Sequence, residues 1–427
     1  MHAGPDVAYR YAGARSLRER GAVNWRMHRH MTPVACPHGI GVIEVADLHA
    51  ARGDHMTAKT LARLAGSLTL LALATPSFAG DRCLAGALGE RQADAALHGQ
   101  IVVSTRSRAG LHDTTVLPGD AKTPLRGDEG FRIASVTKTY VAATALRLWE
   151  DGKLDLQSPI SKWLPAEWTT LLARDGYAPD EITVRQLLSH TSGLADHAQT
   201  PQFIEGVKAH PEATSTPTDH VRHLVEWTQP VGKPGARFSY SDTGYILLGT
   251  IIERVTGESL PRAVRGELRL DRLGLSGTYW EQYEPAKGRQ RAHQRFEGLD
   301  TYGWSPTMDL YGGGGLVSTT QDMATFMGAL LQGKVFRRAD TLATMQSADG
   351  LPADSTYRLG IFAYDFDGVA AAGHSGFWGT LVATEPVSGQ TIAGAVTDRA
   401  DYPRLNAIVG DYLHQAVSQG AKPACNR

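Results

Sequence analysis

The chain has 427 residues, 42% of them apolar and 20% charged, which excludes a disordered or collagen-like polymer and leaves length for a sizeable core. Lys plus Arg number 43 against 44 Asp plus Glu, a formal net charge of -1, so no global basic field for nucleic acid exists. Three cysteines exclude a disulfide-dense scaffold and a zinc ribbon. Residues 1–55 are rich in Arg and His and have no sustained apolar period. Met56 opens a different pattern: Lys59 and Arg63, an apolar run from Leu64 to Ala74, then Pro76-Ser77-Phe78-Ala79. A basic start, a short apolar run and a small-x-small end predict a secretory signal peptide over 56–79, too short to span a bilayer. Residues 1–55 then read as an over-extended start, and 80–427 as one exported module, periplasmic or secreted, free of the membrane after cleavage. That module holds 34 basic and 39 acidic residues, since nine basic and five acidic ones fall in 1–79. Cys83 and Cys425, one near each of its ends, could pair in an oxidising compartment.

Within the module, Gln100–Thr105 reads as a strand. Ser135–Asp151 carries apolar residues at helical spacing and stops at Gly152. A β-like Ile182-Thr183-Val184 precedes a short helix over Arg185–His190. Gly244–Val255 is a second helix, ended by Gly257, and Gly312–Gly315 is a loop. Ser318-Thr319-Thr320 starts a capped helix over Gln321–Leu331. Leu381–Glu385 and Thr391–Thr397 alternate as a hairpin, and Asn406–Val417 is a final helix. Strands at both ends with helices between predict an α/β (α+β) fold: an antiparallel sheet flanked by terminal helices, plus an inserted, mostly helical lobe, with the active site in the cleft between.

Three segments carry chemistry. Ser135-Val136-Thr137-Lys138 places a hydroxyl and an amine on one helical face, three residues apart, so that a lysine can take a proton from an otherwise weak nucleophile. A serine near a helix N-terminus also presents its backbone N–H to a developing oxyanion. Alone, the spacing is common by chance. Tyr240-Ser241-Asp242 precedes a helix; a tyrosine beside a lysine can relay a proton, while Asp242 can equally serve as a helix cap. Gly373-His374-Ser375-Gly376-Phe377-Trp378-Gly379 suits a strand lining a substrate, or else a glycine-rich turn with an exposed histidine.

In this order the three segments resemble the penicillin-recognising serine hydrolases of the class C β-lactamase and D-Ala-D-Ala carboxypeptidase type, which use Ser-x-x-Lys, Tyr-x-Asn and Lys/His-x-Gly. Residues 131–165, 182–194, 238–257, 312–326 and 373–397 share the resemblance. It implies a β-lactamase/transpeptidase-like fold and catalytic Ser135, Lys138 and Tyr240. Backbone N–H groups of Ser135 and Phe377 would form an oxyanion hole. Asp242, His374, Ser375, Gly376, Phe377 and Trp378 would line the substrate, with no metal or cofactor. Tyr302, Trp304 and Trp378 would form aromatic walls, and 312–315 would line the cleft.

Two positions depart from the pattern. Asp242 stands where Asn is usual; an ionised carboxylate can only accept hydrogen bonds. His374 stands where β-lactamases carry Lys, so carboxylate binding should weaken as pH rises. The expected substrate is a D-Ala-terminated or related small amide or peptide. An esterase, a class C-type β-lactamase and a non-catalytic penicillin-binding sensor are the alternatives. The sequence has no Gly-x-Ser-x-Gly elbow, no His-Glu-x-x-His and no P-loop. His220 and His223 read as a surface pair, and His190-Thr191-Ser192-Gly193 as a structural turn.

Overall fold

A computed structural model describes residues 84, 86–88, 96–110, 112–286, 289–353 and 355–418, all within one compact unit. The expected over-extended start, the signal peptide and the Cys83–Cys425 pair lie outside the described residues. In chain order the elements are β1 (Ile101–Arg106), β2 (His112–Leu117), β3 (Phe131–Arg132), α1 (Thr137–Glu150), α2 (Ala166–Arg174), α3 (Val184–Leu188), α4 (Pro201–Ala209), α5 (Pro217–Trp227), α6 (Asp242–Thr256) and α7 (Leu260–Leu268). Then come β4 (Tyr279–Trp280), β5 (Arg295–Phe296), β6 (Leu299–Asp300), β7 (Leu316–Ser318), α8 (Thr320–Leu331), α9 (Ala339–Gln346), β8 (Phe362–Phe366), β9 (Val369–Gly376), β10 (Thr380–Thr384), β11 (Thr391–Val396) and α10 (Tyr402–Ser418).

The main sheet is antiparallel, with strand order β2-β1-β11-β10-β9-β8. N-terminal strands thus pair with C-terminal ones: Ile101 of β1 faces Val396 of β11, and Arg106 faces Thr391. This is the expected lobe built from both chain ends. The pleat sends alternate side chains to opposite faces. Ile392 and Val396 pack with Leu405, Val409 and Tyr412 of α10, while Ala393 and Val382 join the larger core with Phe326 and Met327 of α8. Asp401 closes the ring of termini by accepting the backbone N–H groups of His98 (3.0 Å) and Gly99 (2.8 Å).

The helical lobe follows from local signals. Helix α1 is apolar around most of its circumference, from Tyr140 through Leu148, and is accordingly buried on nearly every side, Lys138 included. Tyr140 stacks on Phe326 of α8 at 3.7 Å between ring centroids. Thr183 and Gln186 form a reciprocal capping box at the start of α3. Ser241 caps α6 by accepting the Gly244 N–H, and Gly257 ends that helix with φ 70°. The N-cap of α6 is therefore Ser241, which leaves the Asp242 carboxylate free for other partners. Among the described residues no helix is long and apolar enough to cross a membrane.

Candidate active site

Ser135 lies half-buried in a single 3-10 turn, Ala134–Val136, that runs directly into α1. Ala134 takes a positive φ of 44°, a strained conformation for a residue with a Cβ, immediately before the serine. One helical turn on, Lys138 is fully buried, and its Nζ donates to Ser135 Oγ at 2.9 Å, to the Gly313 carbonyl at 2.6 Å, and to Asp242 Oδ1. Two of these partners, a carboxylate and a carbonyl, can only accept. They therefore take both hydrogens of a neutral amine and leave its lone pair aimed at Ser135; in the ammonium the third hydrogen points there instead. Either way, the position on Nζ that exchanges a proton faces the serine.

Tyr240 completes this wall, its ring centre 5.1 Å from Lys138 Nζ. Gly313 reaches Lys138 because residues 311–313 lie against α6: Gly312 has φ 120°, and a Cβ there would meet the Tyr245 carbonyl at 2.4 Å. Of residues 312–315, Gly313 thus backs Lys138 through its carbonyl. Two further carboxyl groups stand close in charge to this cluster. Burial pushes Asp309 up to about 7, against an opposing pull from Lys138. Burial raises Asp196 as well, with the charge of Asp242 adding to it.

The opposite wall is the end of β9 and its turn into β10. Gly376 presses on the segment leading into Ser135 so closely that a Cβ would meet the Ile133 carbonyl at 2.2 Å. Thr380 Oγ1 donates to that same carbonyl at 3.1 Å. Gln294, buried and unmarked by any motif, ties the two segments together. Its Oε1 accepts the Arg132 N–H at 2.9 Å, and its Nε2 donates to the Trp378 carbonyl at 3.2 Å. Arg132 in turn holds Glu281 in a two-point ion pair and donates to the Trp304 carbonyl at 2.6 Å. Phe377, at the turn, thus stands at a fixed offset from Ser135, and is half-buried.

The side chains of this strand correct several expectations. His374 is fully buried. Its Nδ1 must donate to the Ser375 carbonyl (2.7 Å), so the neutral ring's Nε2 accepts from the Tyr357 hydroxyl (2.9 Å). Burial and then the charge of Lys138 lower it to about 3. It is neutral at ordinary pH and presents no cation to a substrate carboxylate; the exposed histidine and the fading carboxylate affinity do not hold. Ser375 and Trp378 are buried too, leaving contact on this wall to Phe377 and the backbone. Trp378 and Trp304 pack edge to face (5.9 Å) in a cluster with Ala134 and Phe296, as support beneath the serine rather than as exposed walls. Tyr302 is exposed, its ring stacked on His293 and 4.1 Å from the Arg291 guanidinium.

His220 is not at the surface. Thr243 Oγ1 bonds His197 Nδ1 (2.7 Å), His197 Nε2 bonds His220 Nδ1 (2.9 Å), and His220 Nε2 donates to the Thr307 carbonyl (3.0 Å). This buried wire joins the N-terminus of α6 to His220 of α5 and to the short turns at 197–199 and 306–308. His223 stacks on Trp227 at 3.9 Å. Among the described residues, no group of three or more metal-ligating side chains gathers.

With this arrangement, residues 90–414 match the Beta-lactamase family. The chain belongs to that family. Among the relatives of this Beta-lactamase family member, the esterase EstB of Burkholderia gladioli is 35% identical over 54% of this chain and 58% of its own length. The putative penicillin-binding protein PbpX of Bacillus subtilis is 27% identical, over 68% of this chain and 67% of its own. A putative D-alanyl-D-alanine carboxypeptidase of Salmonella typhi is 26% identical, over 61% and 68%. The chain thus spans little more than half of EstB and about two thirds of the other two. Among solved structures, a D-stereospecific amidohydrolase from Streptomyces sp. superposes with a TM-score of 0.65 at 28% identity, over 77% of this chain and 97% of that one. The fold is the mixed helix and antiparallel-sheet architecture expected from the sequence.

Proposed function

We propose that this member of the Beta-lactamase family is a serine acyl hydrolase that forms an acyl-enzyme at Ser135 and acts on small esters and amides lacking a terminal carboxylate. The observation that carries the reading is Lys138 Nζ, 2.9 Å from Ser135 Oγ and with its other positions spent on Asp242 and Gly313. Ser135 Oγ attacks the substrate carbonyl while its proton passes to Lys138, with Tyr240 as the relay. The carbonyl oxygen takes the negative charge, received by the N–H groups of Ser135 and Phe377. Collapse breaks the bond to the leaving alcohol or amine, which departs with that proton. Water then adds to the acyl-enzyme by the same route and releases the acid. The steps need no metal or cofactor.

The buried, neutral His374 supports esters and simple amides over D-Ala-D-Ala termini, because the expected cation is missing from that strand. The identity to EstB favours the same reading. D-Ala-D-Ala carboxypeptidase action is the second reading, favoured by the Salmonella relative. Export through cleavage after Ala79 is proposed on the pattern of residues 56–79 alone.

Intact-mass spectrometry with a fluorophosphonate and, separately, a fluorescent penicillin tests the mechanism, with Ser135→Ala as control. One adduct on the wild type, absent from Ser135→Ala, is expected with the fluorophosphonate, together with turnover of p-nitrophenyl butyrate. A lasting penicillin adduct with release of terminal D-Ala and no ester turnover would move the assignment to the carboxypeptidase. No adduct with either reagent would sink the acyl-enzyme.

A further inference from the structure

His190 stands outside the acyl-transfer set, yet it holds the backbone on both sides of Tyr240. The Ser239 N–H donates to the His190 carbonyl at 2.8 Å, and the Ser241 N–H donates to His190 Nδ1 at 3.1 Å. The two anchored amides flank the tyrosine. Its ring lies 4.1 Å from the His190 ring, which also sits 4.6 Å from Tyr357 and 5.0 Å from Tyr245. The rest of the turn continues the template: Gly235 donates to the Thr191 carbonyl at 2.7 Å and Val231 to that of Gly193 at 3.0 Å.

This anchorage is costly. His190 has φ 55°, the left-handed region that disfavours a side chain, and although it is buried its Nε2 has no hydrogen-bond partner among the described residues. A leucine or phenylalanine would fill the same space without leaving a polar atom unpaired. What the imidazole adds is an acceptor, Nδ1, aimed at the Ser241 N–H, and that role requires the neutral ring with its hydrogen on Nε2. Burial, then the charges of Lys138 and His374, hold the ring well below its ordinary value and so keep Nδ1 free to accept.

We propose that His190 is a positioning residue whose carbonyl and Nδ1 clamp the chain on both sides of Tyr240 and so fix the phenol beside Lys138. The proposal rests on the acyl-enzyme reading. It adds that proton relay fails when the clamp is lost, even though Ser135 and Lys138 remain in place. Residues Thr191 to Gly193 keep the purely structural role read from the sequence.

The test is a double-mutant cycle on the full chain, reading the fluorophosphonate labelling rate and the kcat for p-nitrophenyl butyrate. His190→Ala is expected to slow both by about 100-fold with KM nearly unchanged. His190→Asn, whose Oδ1 takes the place of Nδ1 as acceptor, should recover to within about fivefold of wild type. In a Tyr240→Phe background, His190→Ala should cost less than about threefold, because the residue it serves is already gone. An equal loss in both backgrounds, a wild-type rate for His190→Ala, or loss of cooperative unfolding in both His190 variants would overturn the clamp. Unlabelled Ser135→Ala beside an unaffected His190→Ala would remove the clamp alone. Labelling of Ser135→Ala would remove the acyl-enzyme reading and the clamp with it.

Discussion

On one side of Ser135 stand Lys138, Asp242 and Tyr240, an amine bonded to a carboxylate and a phenol, drawn from the starts of α1 and α6. On the other stands β9, whose His374 is neutral, fully buried and bonded at both ring nitrogens, and whose turn is tied down by Gln294 and Thr380. On the proposed mechanism the first wall moves a proton. The second is built to hold a shape. Motif matching treats residues of both walls as one catalytic set, whereas the burial and bonding of each assign them different work.

Breaking the first wall should have the larger effect. Lys138→Met removes the proton acceptor and leaves Asp242 unpaired. It is expected to lower kcat/KM for p-nitrophenyl butyrate by at least about 10³-fold, in the range of lost acid–base catalysis. Stopped-flow or long-time-course ester hydrolysis measures it, and activity within tenfold of wild type would erase the distinction between the walls. Gln294→Leu attacks the second wall's geometry without touching the proton path. Freed from Arg132 and Trp378, the Phe377 N–H should drift from its place, costing about 10²-fold in kcat with little change in KM. The unpaired Arg132 amide should cost about 1–3 kcal/mol in a urea melt.

The smallest effect sharpens the comparison. His374→Gln keeps an acceptor for the Tyr357 hydroxyl and cannot protonate, so ester hydrolysis at pH 8 should stay within about threefold of wild type. Its stability against acid should differ. The folded-state pKa of about 3 lies below the unfolded value, so the unfolded chain binds the proton first as pH falls. The stability contribution is complete above about pH 6.5 and is lost on descending towards pH 3, at about 1.4 kcal/mol per pH unit. Urea midpoints from pH 8 to 4 should therefore converge between wild type and His374→Gln as pH falls, the wild type losing more. Parallel curves would mean that His374 is charged in the folded state.

Much of this was legible in advance where the signal is local. Ser135 and Lys138 meet because three residues on a helix is one turn, and the end of α6 follows from Gly257, whereas its N-cap is Ser241 and not the Asp242 offered by the sequence. Helices α5 and α7 were not among the expected elements; each carries a proline, Pro217 and Pro261, in its first turn, where proline is tolerated. Gln294 was invisible for another reason: its partners lie 162 and 84 residues away, and a single amide has no pattern. His220 was misread for the same reason. Its partner His197 sits in a different segment, and only the fold removes both from water. The role of His374 was misjudged because residue type suggests charge, whereas burial decides it.

The Thr243–His197–His220–Thr307 wire carries a consequence for protein engineering. The segments around 197, 220 and 307 belong to separate stretches of sequence, so each looks exchangeable when acyl-group preference is to be altered. Their shared hydrogen bonds make them a single replaceable cassette. A segment grafted alone leaves a buried imidazole facing a foreign neighbour, directly behind the helix that carries Asp242; all three must be transplanted together for the graft to keep the partner of Lys138 in place.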